Sequence, residues 1–330
     1  MKKIVSFILF SGLFLTAGFV YPQDVPMHTQ GILQQEFINP AYHSFKDYIS
    51  VSAYNRAQWG SQFDYSPETY VVDAYYPVRP GTFGVNLEVI REDIGLRKNT
   101  GLSASFCHNV LLSANALLSF GYNVGFLQKS LDRDKILSYP DEDLSFLLTD
   151  DDLNTLYPTA SVGVFFLTPK FYCGFSSMAA ALRKKVDDSQ YFPGFDLSAG
   201  GMFALSPAVH FRPGLIVKYY REKEFTSGGG TSGNIPPIYD LSANFLYQDK
   251  IWLGTSHRFD QAQTFSIDLN IGKNLRAGYT YELGIGKGLN QFDTHGFRLS
   301  CIIPSKVGEE APEKGALRQK LAHILYGGGM

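Results

Sequence analysis

Residues 264–271, Thr-Phe-Ser-Ile-Asp-Leu-Asn-Ile, alternate between polar and apolar side chains at every position. Successive side chains of a β-strand point to opposite faces, so this segment has one apolar face and one polar face. The same alternation recurs in Phe83–Val89 and in Leu241–Tyr247. Two kinds of protein fit the pattern: a soluble sandwich with an apolar core, and a transmembrane barrel with an apolar outer surface.

About fourteen segments carry this pattern, and most are close to the length that a tilted strand needs to cross a bilayer, about ten residues. Their predicted bounds are 48–57, 69–77, 81–90, 100–109, 114–128, 157–167, 169–181, 196–205, 207–219, 238–247, 250–258, 263–272, 274–283 and 294–303. Aromatic residues supply 15% of the chain, which favours strands over packed helices. We therefore expect an all-β protein.

The lengths of the connections favour the barrel over the sandwich. Short connections such as 168–170 and 248–249 are expected to alternate with longer ones such as 128–156 and 221–237. Outer-membrane barrels have tight periplasmic turns and longer outer loops, whereas a sandwich has no reason to keep that alternation. Six aromatic residues near predicted strand ends are expected in the membrane-interface girdles: Tyr219, Tyr220, Tyr247, Trp252, Tyr279 and Tyr281. The prediction is a transmembrane antiparallel β-barrel in the outer membrane of a Gram-negative bacterium.

The two ends of the chain are predicted to lie outside the barrel. Lys2 and Lys3 precede an apolar run from Ile4 to Ala17, which is typical of a secretory signal peptide cleaved between about Ala17 and Gln23. The even number of strands places both ends of the barrel on the periplasmic side. The expected parts are a signal peptide at 1–23, a periplasmic lead-in or plug segment at 24–47, the barrel at 48–303 and a periplasmic tail at 304–330.

Composition excludes several classes of function. The 29 Lys and Arg against 31 Asp and Glu leave no basic stripe for nucleic acid. Three widely spaced cysteines suit neither a disulfide framework nor a zinc site. The acidic stretch 141–152 lacks the spaced ligands of a calcium loop and is interpreted as a solvated loop, and the glycines 228–230 as a loop tip without a phosphate-binding motif. We expect no metal and no cofactor.

Hydrolases occur among outer-membrane proteins, so three histidines are candidate general bases beside a serine: His210, His257 and His295. Ser256 adjoins His257, but neighbours in a strand point to opposite faces and cannot act together. The prediction is that the chain is not an enzyme.

A distinctive motif lies ahead of the first predicted strand. Its residues are Gln35, Phe37, Asn39, Pro40, Ala41 and Tyr42. Pro40 fixes its own φ and favours an extended Asn39, and Tyr42 offers an amphipathic ring, so the stretch is suited to lock the start of the first strand or to plug the lumen. Arg56 is expected to face the lumen and bind this segment, and Trp59 to lie near the outer interface.

This motif, with Tyr54, Arg56, Gln58 and Trp59 after it, resembles the PorP/SprF family of type IX secretion system membrane proteins. Further matches are Asp93–Gly95, the strand 118–126, Pro207 with 215–218, and Gly278–Tyr281 with Thr294-His295. The chain departs from the family pattern at His43-Ser44, where Ala-Gly is usual, and at Gly296, where Glu is usual.

The resemblance implies a non-enzymatic accessory component of the secretion and gliding machinery. Such a protein assists export or surface attachment of cargo that carries a type IX C-terminal signal, and its partners are the translocon, the periplasmic ring components and outer-membrane lipid. The polar faces of the strands leave one alternative open, a small-solute porin or hydrophobic-substrate channel.

Overall fold

The computed structural model describes residues 35–46, 48–61, 66–132, 154–180, 194–219, 237–272, 274–285 and 292–303. The strands in these ranges are β1 (Ile49–Ala57), β2 (Glu68–Arg79), β3 (Phe83–Ile94), β4 (Arg97–Ser113), β5 (Ala116–Leu131), β6 (Asn154–Leu167), β7 (Phe171–Ala180), β8 (Gly194–Gly201), β9 (Phe203–Ser206), β10 (Val209–Tyr219), β11 (Ile238–Tyr247), β12 (Ile251–Arg258), β13 (Ala262–Ile271), β14 (Leu275–Gly284) and β15 (Thr294–Ile303). Short 3₁₀ helices lie at Gln35–Phe37, Tyr42–Phe45 and Gln58–Ser61.

The strands close into one antiparallel barrel. Strands that are neighbours in sequence pair with each other, except that β8 pairs with β10 and not with β9. β1 pairs with β15 in a register that runs from Ile49 opposite Ile303 to Ala57 opposite His295. The short β9 continues the line of β8 along β10 after a break at Met202, so the ring has fourteen positions. The predicted barrel and its strand number are therefore confirmed.

Alternation of side chains gives the barrel wall two different faces. The outward face carries exposed apolar residues, among them Val72, Leu87, Leu102, Val124, Val162, Leu197, Leu241, Leu253, Phe265 and Leu299. The inward face is buried and largely polar, and it includes Ser52, Asp73, Asn86, Ser105, Ser119, Ser176, Asp196, Asn244, Asp268 and Thr280. An apolar exterior around a polar interior is the arrangement of a transmembrane barrel and the reverse of a soluble sandwich. The sandwich interpretation is therefore wrong.

Two connections differ from the expected alternation of short and long loops. β3 and β4 are joined by Gly95 and Leu96 alone, and β12 and β13 are joined by 259–261. Both lie at the barrel end that otherwise has the longer connections. Gly95 has a φ of 61° and Asp260 a φ of 57°. These left-handed conformations reverse the chain within two or three residues, and glycine and aspartate tolerate them best.

Several predictions fall outside the described residues. They concern the signal peptide, the first part of the predicted lead-in or plug segment, Tyr220, the acidic stretch 141–152, the glycines 228–230 and the tail 304–330. Among the described residues, no helix has the length and apolar character to cross a membrane.

Candidate functional site inside the barrel

Residues 35–46, which we call the luminal segment, lie inside the barrel against its wall. Most of their described side chains are buried, including Gln35, Asn39, Ala41, Tyr42 and His43. The segment comes directly before β1, at the barrel end where β1 begins, β15 ends and the short turns lie. It contacts the wall near that end. All six motif residues between Gln35 and Tyr42 therefore lie in this one segment inside the barrel.

Three glycines form the seat of the Asn39–Ala41 stretch. They are Gly121 on β5, Gly163 on β6 and Gly174 on β7, and a Cβ atom on any of them would collide with the luminal segment or its neighbours. The Asn39 amide nitrogen donates to the carbonyls of Val164 at 3.1 Å and Phe175 at 3.2 Å. A side chain that binds wall backbone directly needs this close approach, which glycine permits.

The backbone of the luminal segment is also hydrogen-bonded to the wall. The Ser119 hydroxyl donates to the Ala41 carbonyl at 2.6 Å, and the Ser176 hydroxyl donates to the Ile38 carbonyl at 2.9 Å. The Ala41 amide donates to the side-chain oxygen of Asn39 at 2.9 Å. Buried backbone groups that lack regular secondary structure need such partners. The wall is therefore built to hold this stretch in one position.

Tyr42 packs into an apolar cluster at the same end of the lumen. Its ring meets Phe165 edge-to-face at a centroid distance of 5.3 Å, and Phe165 stacks on Tyr172 at 5.7 Å. The cluster consists of Ala41, Tyr42, Leu117, Phe165, Leu167, Tyr172, Met202, Leu246 and Trp252. Burial of this many large apolar groups makes Tyr42 the apolar anchor of the luminal segment.

Trp252 was expected in a membrane-interface girdle, and this prediction is wrong. Its side chain is completely buried in the lumen, because it shares the inward face of β12 with Ser256 and Arg258. The guanidinium carbons of Arg212 and Arg276 lie 5.9 Å and 5.7 Å from the centre of its ring. Cation–π attraction to two arginines suits a buried indole better than it suits an interfacial one.

Charged residues hold the end of the luminal segment. The Lys46 ammonium donates to the Glu36 carboxylate at 3.0 Å, and both side chains are buried. His43 Nε2 lies 3.1 Å from the Glu36 carbonyl, and the imidazole stacks on Tyr75 at 5.6 Å. The Tyr75 hydroxyl donates to the Lys46 carbonyl at 3.2 Å. These contacts fix the last turn of the segment just before β1.

The same contacts set the protonation of two groups. Burial alone would raise the pKa of Glu36, but the nearby charge of Lys46 outweighs it and the pKa is lowered to about 2. Burial, followed by the charge of Lys46, lowers the pKa of His43 to about 3. At neutral pH the luminal segment therefore carries an ionised Glu36 and a neutral His43.

Arg56 lies on the inward face of β1, within a chain of buried ion pairs along the wall. Its guanidinium donates to Glu282 on β14 at 3.3 Å. Arg258 on β12 lies 3.4 Å from Glu282 and 3.4 Å from Asp240 on β11. The shared carboxylate of Glu282 links three strands.

The remaining predicted positions lie at the edges of this site. Phe37 is half-buried, with its ring 6.3 Å from that of Tyr54. Trp59 lies in the turn after β1, at the opposite end of the strand from the luminal segment, with a φ of 59°.

The histidines do not converge on a reactive group. His257 and His295 lie on the outward face, where their Nδ1 atoms contact Gln263 at 3.1 Å and the Tyr279 hydroxyl at 2.8 Å. His210 lies on the inward side of β10, as does Arg212 two residues later. Ser256 is buried on the inward face, so it and His257 point apart, as the strand pattern predicts.

The seat of the luminal segment was missed by sequence reasoning. The seat itself is Gly121, Gly163 and Gly174, and the wall residues around it that were also missed are Ser119, Ser176, Phe165 and Tyr172. The available signal was glycine at inward positions of three consecutive strands, since a glycine inside a strand often marks close approach by another backbone.

A family model described as "Type IX secretion system membrane protein PorP/SprF" matches residues 20–301. None of the curated proteins matches the chain. A Pseudomonas aeruginosa FadL homologue is similar in structure at a TM-score of 0.47 and 11% identity, covering 87% of this chain and 100% of that one. The Pseudomonas putida toluene transporter TodX gives 0.45 and 10%, with 86% and 94% covered. The Acinetobacter baumannii outer membrane protein Omp33 gives 0.44 and 9%, with 78% and 99% covered.

Proposed function

Because this chain belongs to the family of type IX secretion system membrane proteins PorP/SprF, we propose that it is a non-enzymatic component of that system in the cell outer membrane. The family match carries the proposal, since it covers residues 20–301 and so includes the luminal segment and all but the last two residues of the barrel. The outward apolar face is suited to outer-membrane lipid.

In this role the protein assists the export or surface attachment of cargo that carries a type IX C-terminal signal. Its periplasmic end engages the translocon and the periplasmic ring components. A lumen that holds part of its own chain favours a docking and assembly role over free passage of solutes, because Asn39 and Tyr42 are bound to the wall at the short-turn end.

The motif from Gln35 to Tyr42 has a structural role in this proposal. Its residues fix the luminal segment and thereby the periplasmic end of the barrel, instead of contacting cargo themselves. Arg56 acts with them as part of the buried ion-pair chain, and Trp59 closes the first strand at the outer end. We expect cargo to contact surfaces outside the lumen, because most of the motif residues are buried against the wall.

A gentle detergent pull-down of the tagged protein from outer membranes, followed by mass spectrometry, tests the proposal. Recovery of translocon, ring or C-terminal-signal cargo proteins is the expected result. A matched control is a tagged barrel of similar size from the same membrane. A solitary, heat-modifiable barrel with no such proteins above the control would contradict the export role.

Single-channel recording separates the proposal from the alternative of a small-solute porin or hydrophobic-substrate channel. The wild-type barrel is expected to give little steady current in a planar bilayer. A large, stable current together with an empty pull-down would support the channel instead.

A further inference from the structure

Two carboxylates stand side by side on the inner wall, away from the ion-pair chain of Arg56. Asp73 on β2 lies directly opposite Glu88 on β3. Both side chains are on the inward face, and Asp73 has no solvent exposure. Side chains at directly opposed positions of an antiparallel pair have Cβ atoms about 5 Å apart. The Ser52 hydroxyl on β1, directly opposite, is a hydrogen-bond donor to Asp73, and no positively charged side chain of the described residues bonds to either carboxylate oxygen.

The charges around this pair do not balance. The described charged side chains near Asp73 are Glu36, Lys46 and Glu88. Glu36 and Lys46 already form an ion pair at 3.0 Å and cancel each other. When ionised, the fully buried Asp73 and the partly exposed Glu88 have no counterion of their own among the described residues, and burial of an uncompensated carboxylate is unfavourable.

Asn86 supplies an independent observation. It lies on β3 two residues before Glu88, on the same inward face, and is 1% exposed. Its side-chain oxygen has no hydrogen-bond partner among the described residues. This places an amide oxygen diagonally across the strand pair from Asp73, within reach of the same space. Carboxylate and amide oxygens are the ligands that Ca²⁺ and Mg²⁺ prefer.

We propose that Asp73, Glu88 and Asn86 form a binding site for a hard divalent cation, Ca²⁺ or Mg²⁺, on the wall beside the luminal segment. The charge of the cation equals that of the two uncompensated carboxylates. Water completes the coordination, as is usual for Mg²⁺ bound by one or two carboxylates. The site is independent of the proposed export role.

Terbium luminescence of the full-length protein in detergent tests the site, with Tb³⁺ as the probe. Tyr75 is directly opposite Asn86 and is suited to sensitise a lanthanide bound there. We expect sensitised emission that the Asp73→Asn, Glu88→Gln double variant loses. Competition with Ca²⁺ and Mg²⁺ in separate titrations then identifies the preferred cation. The control variant is Asp196→Asn, which removes an inward carboxylate that interacts with Lys218 and should leave the emission unchanged.

Heat-modifiability on gels provides a second measurement. Wild-type protein is expected to lose its folded form at a lower temperature in EDTA than in Ca²⁺ or Mg²⁺, whereas the double variant, freed from carboxylate repulsion, shows no such difference. Emission that persists in the double variant belongs to other carboxylates and overturns the proposal. The absence of both sensitised emission and any effect of EDTA in the wild-type protein overturns it as well.

Discussion

The side-chain oxygen of Asn39 occupies the space that a Cβ atom on Gly163 would need. Gly163→Ala should therefore push Asn39 away from its two carbonyl partners on β6 and β7 and unseat the luminal segment. The expected result is a larger steady current than that of the wild-type barrel in planar-bilayer recording. Ala160→Val changes the outward face of the same strand and should leave the current as it was. A folded Gly163→Ala barrel with wild-type current would show that the seat tolerates the added methyl group.

Tyr42→Ala should also weaken the binding of the luminal segment, in this case by a change in the segment and not in the wall. Removing a buried aromatic side chain from the cluster around Phe165 is expected to cost about 3 kcal/mol or more. In a Trp59→Phe background Trp252 is the sole tryptophan, and its emission should shift to the red as water reaches it. Tyr239→Ala removes an exposed ring and should not shift the emission.

Glu282→Gln should destabilise the barrel as a whole. The substitution removes the Glu282 carboxylate from the guanidinium groups of both Arg56 and Arg258, at a cost of roughly 3 kcal/mol. Urea unfolding of the purified barrel measures the loss. Asp93→Asn removes a partner from the more exposed pair with Arg91 and should cost less than about 1 kcal/mol. Equal effects of the two substitutions would argue against a structural role for the buried chain.

Acid should unseat the luminal segment. The pKa of His43 is about 3 when it is seated and near its ordinary 6.5 when released, so the released state takes up a proton first as the pH falls. The equilibrium constant for seating then falls about tenfold per pH unit below 6.5, until pH 3. Glu36, with a pKa of about 2, contributes seating free energy above pH 4.5 and loses it as the pH falls toward 2.

Trp252 emission in the Trp59→Phe background measures this pH dependence. His43→Gln keeps a hydrogen-bond donor without the titration, and it should flatten the response between pH 6.5 and 4.5 while leaving the response of Glu36 below that range. An unchanged profile in this variant would show that another group controls the acid response.

The strands were predictable because their signal is local. The alternation along each segment predicts both that it is a strand and which side chains face outward. Phe265, Leu241 and Leu87, on the apolar faces, are indeed exposed. Trp252 differs from its predicted position because its place in the strand alternation, and not its residue type, decides which way the side chain faces. Its neighbours Ile251 and Leu253 already indicated the outward side of β12, which leaves Trp252 facing inward.

The luminal segment contacts residues that are far away in the sequence, and a local sequence pattern cannot indicate such partners. Asn39 bonds to carbonyls at Val164 and Phe175, and Arg56 pairs with Glu282, more than two hundred residues away. The motif indicated that this stretch has a specific role. Its partners on β5, β6 and β7 could be identified only from the folded barrel. The tight turns at Gly95 and Asp260 have a local cause. In each turn one residue with a left-handed conformation reverses the chain, so no long loop is needed.

The seam between β1 and β15 imposes an order of events on biogenesis. The ring seals only after Thr294–Ile303 has been synthesised and has found Ile49–Ala57, the most distant strand in the chain. Closing so long a loop is slow, and until then both terminal strands are open edges at which a nascent barrel can pair wrongly. The luminal segment is continuous with the first strand, so it lies directly beside this seam. A chain that stops short of β15 therefore leaves β14 and β1 as two unpaired edges.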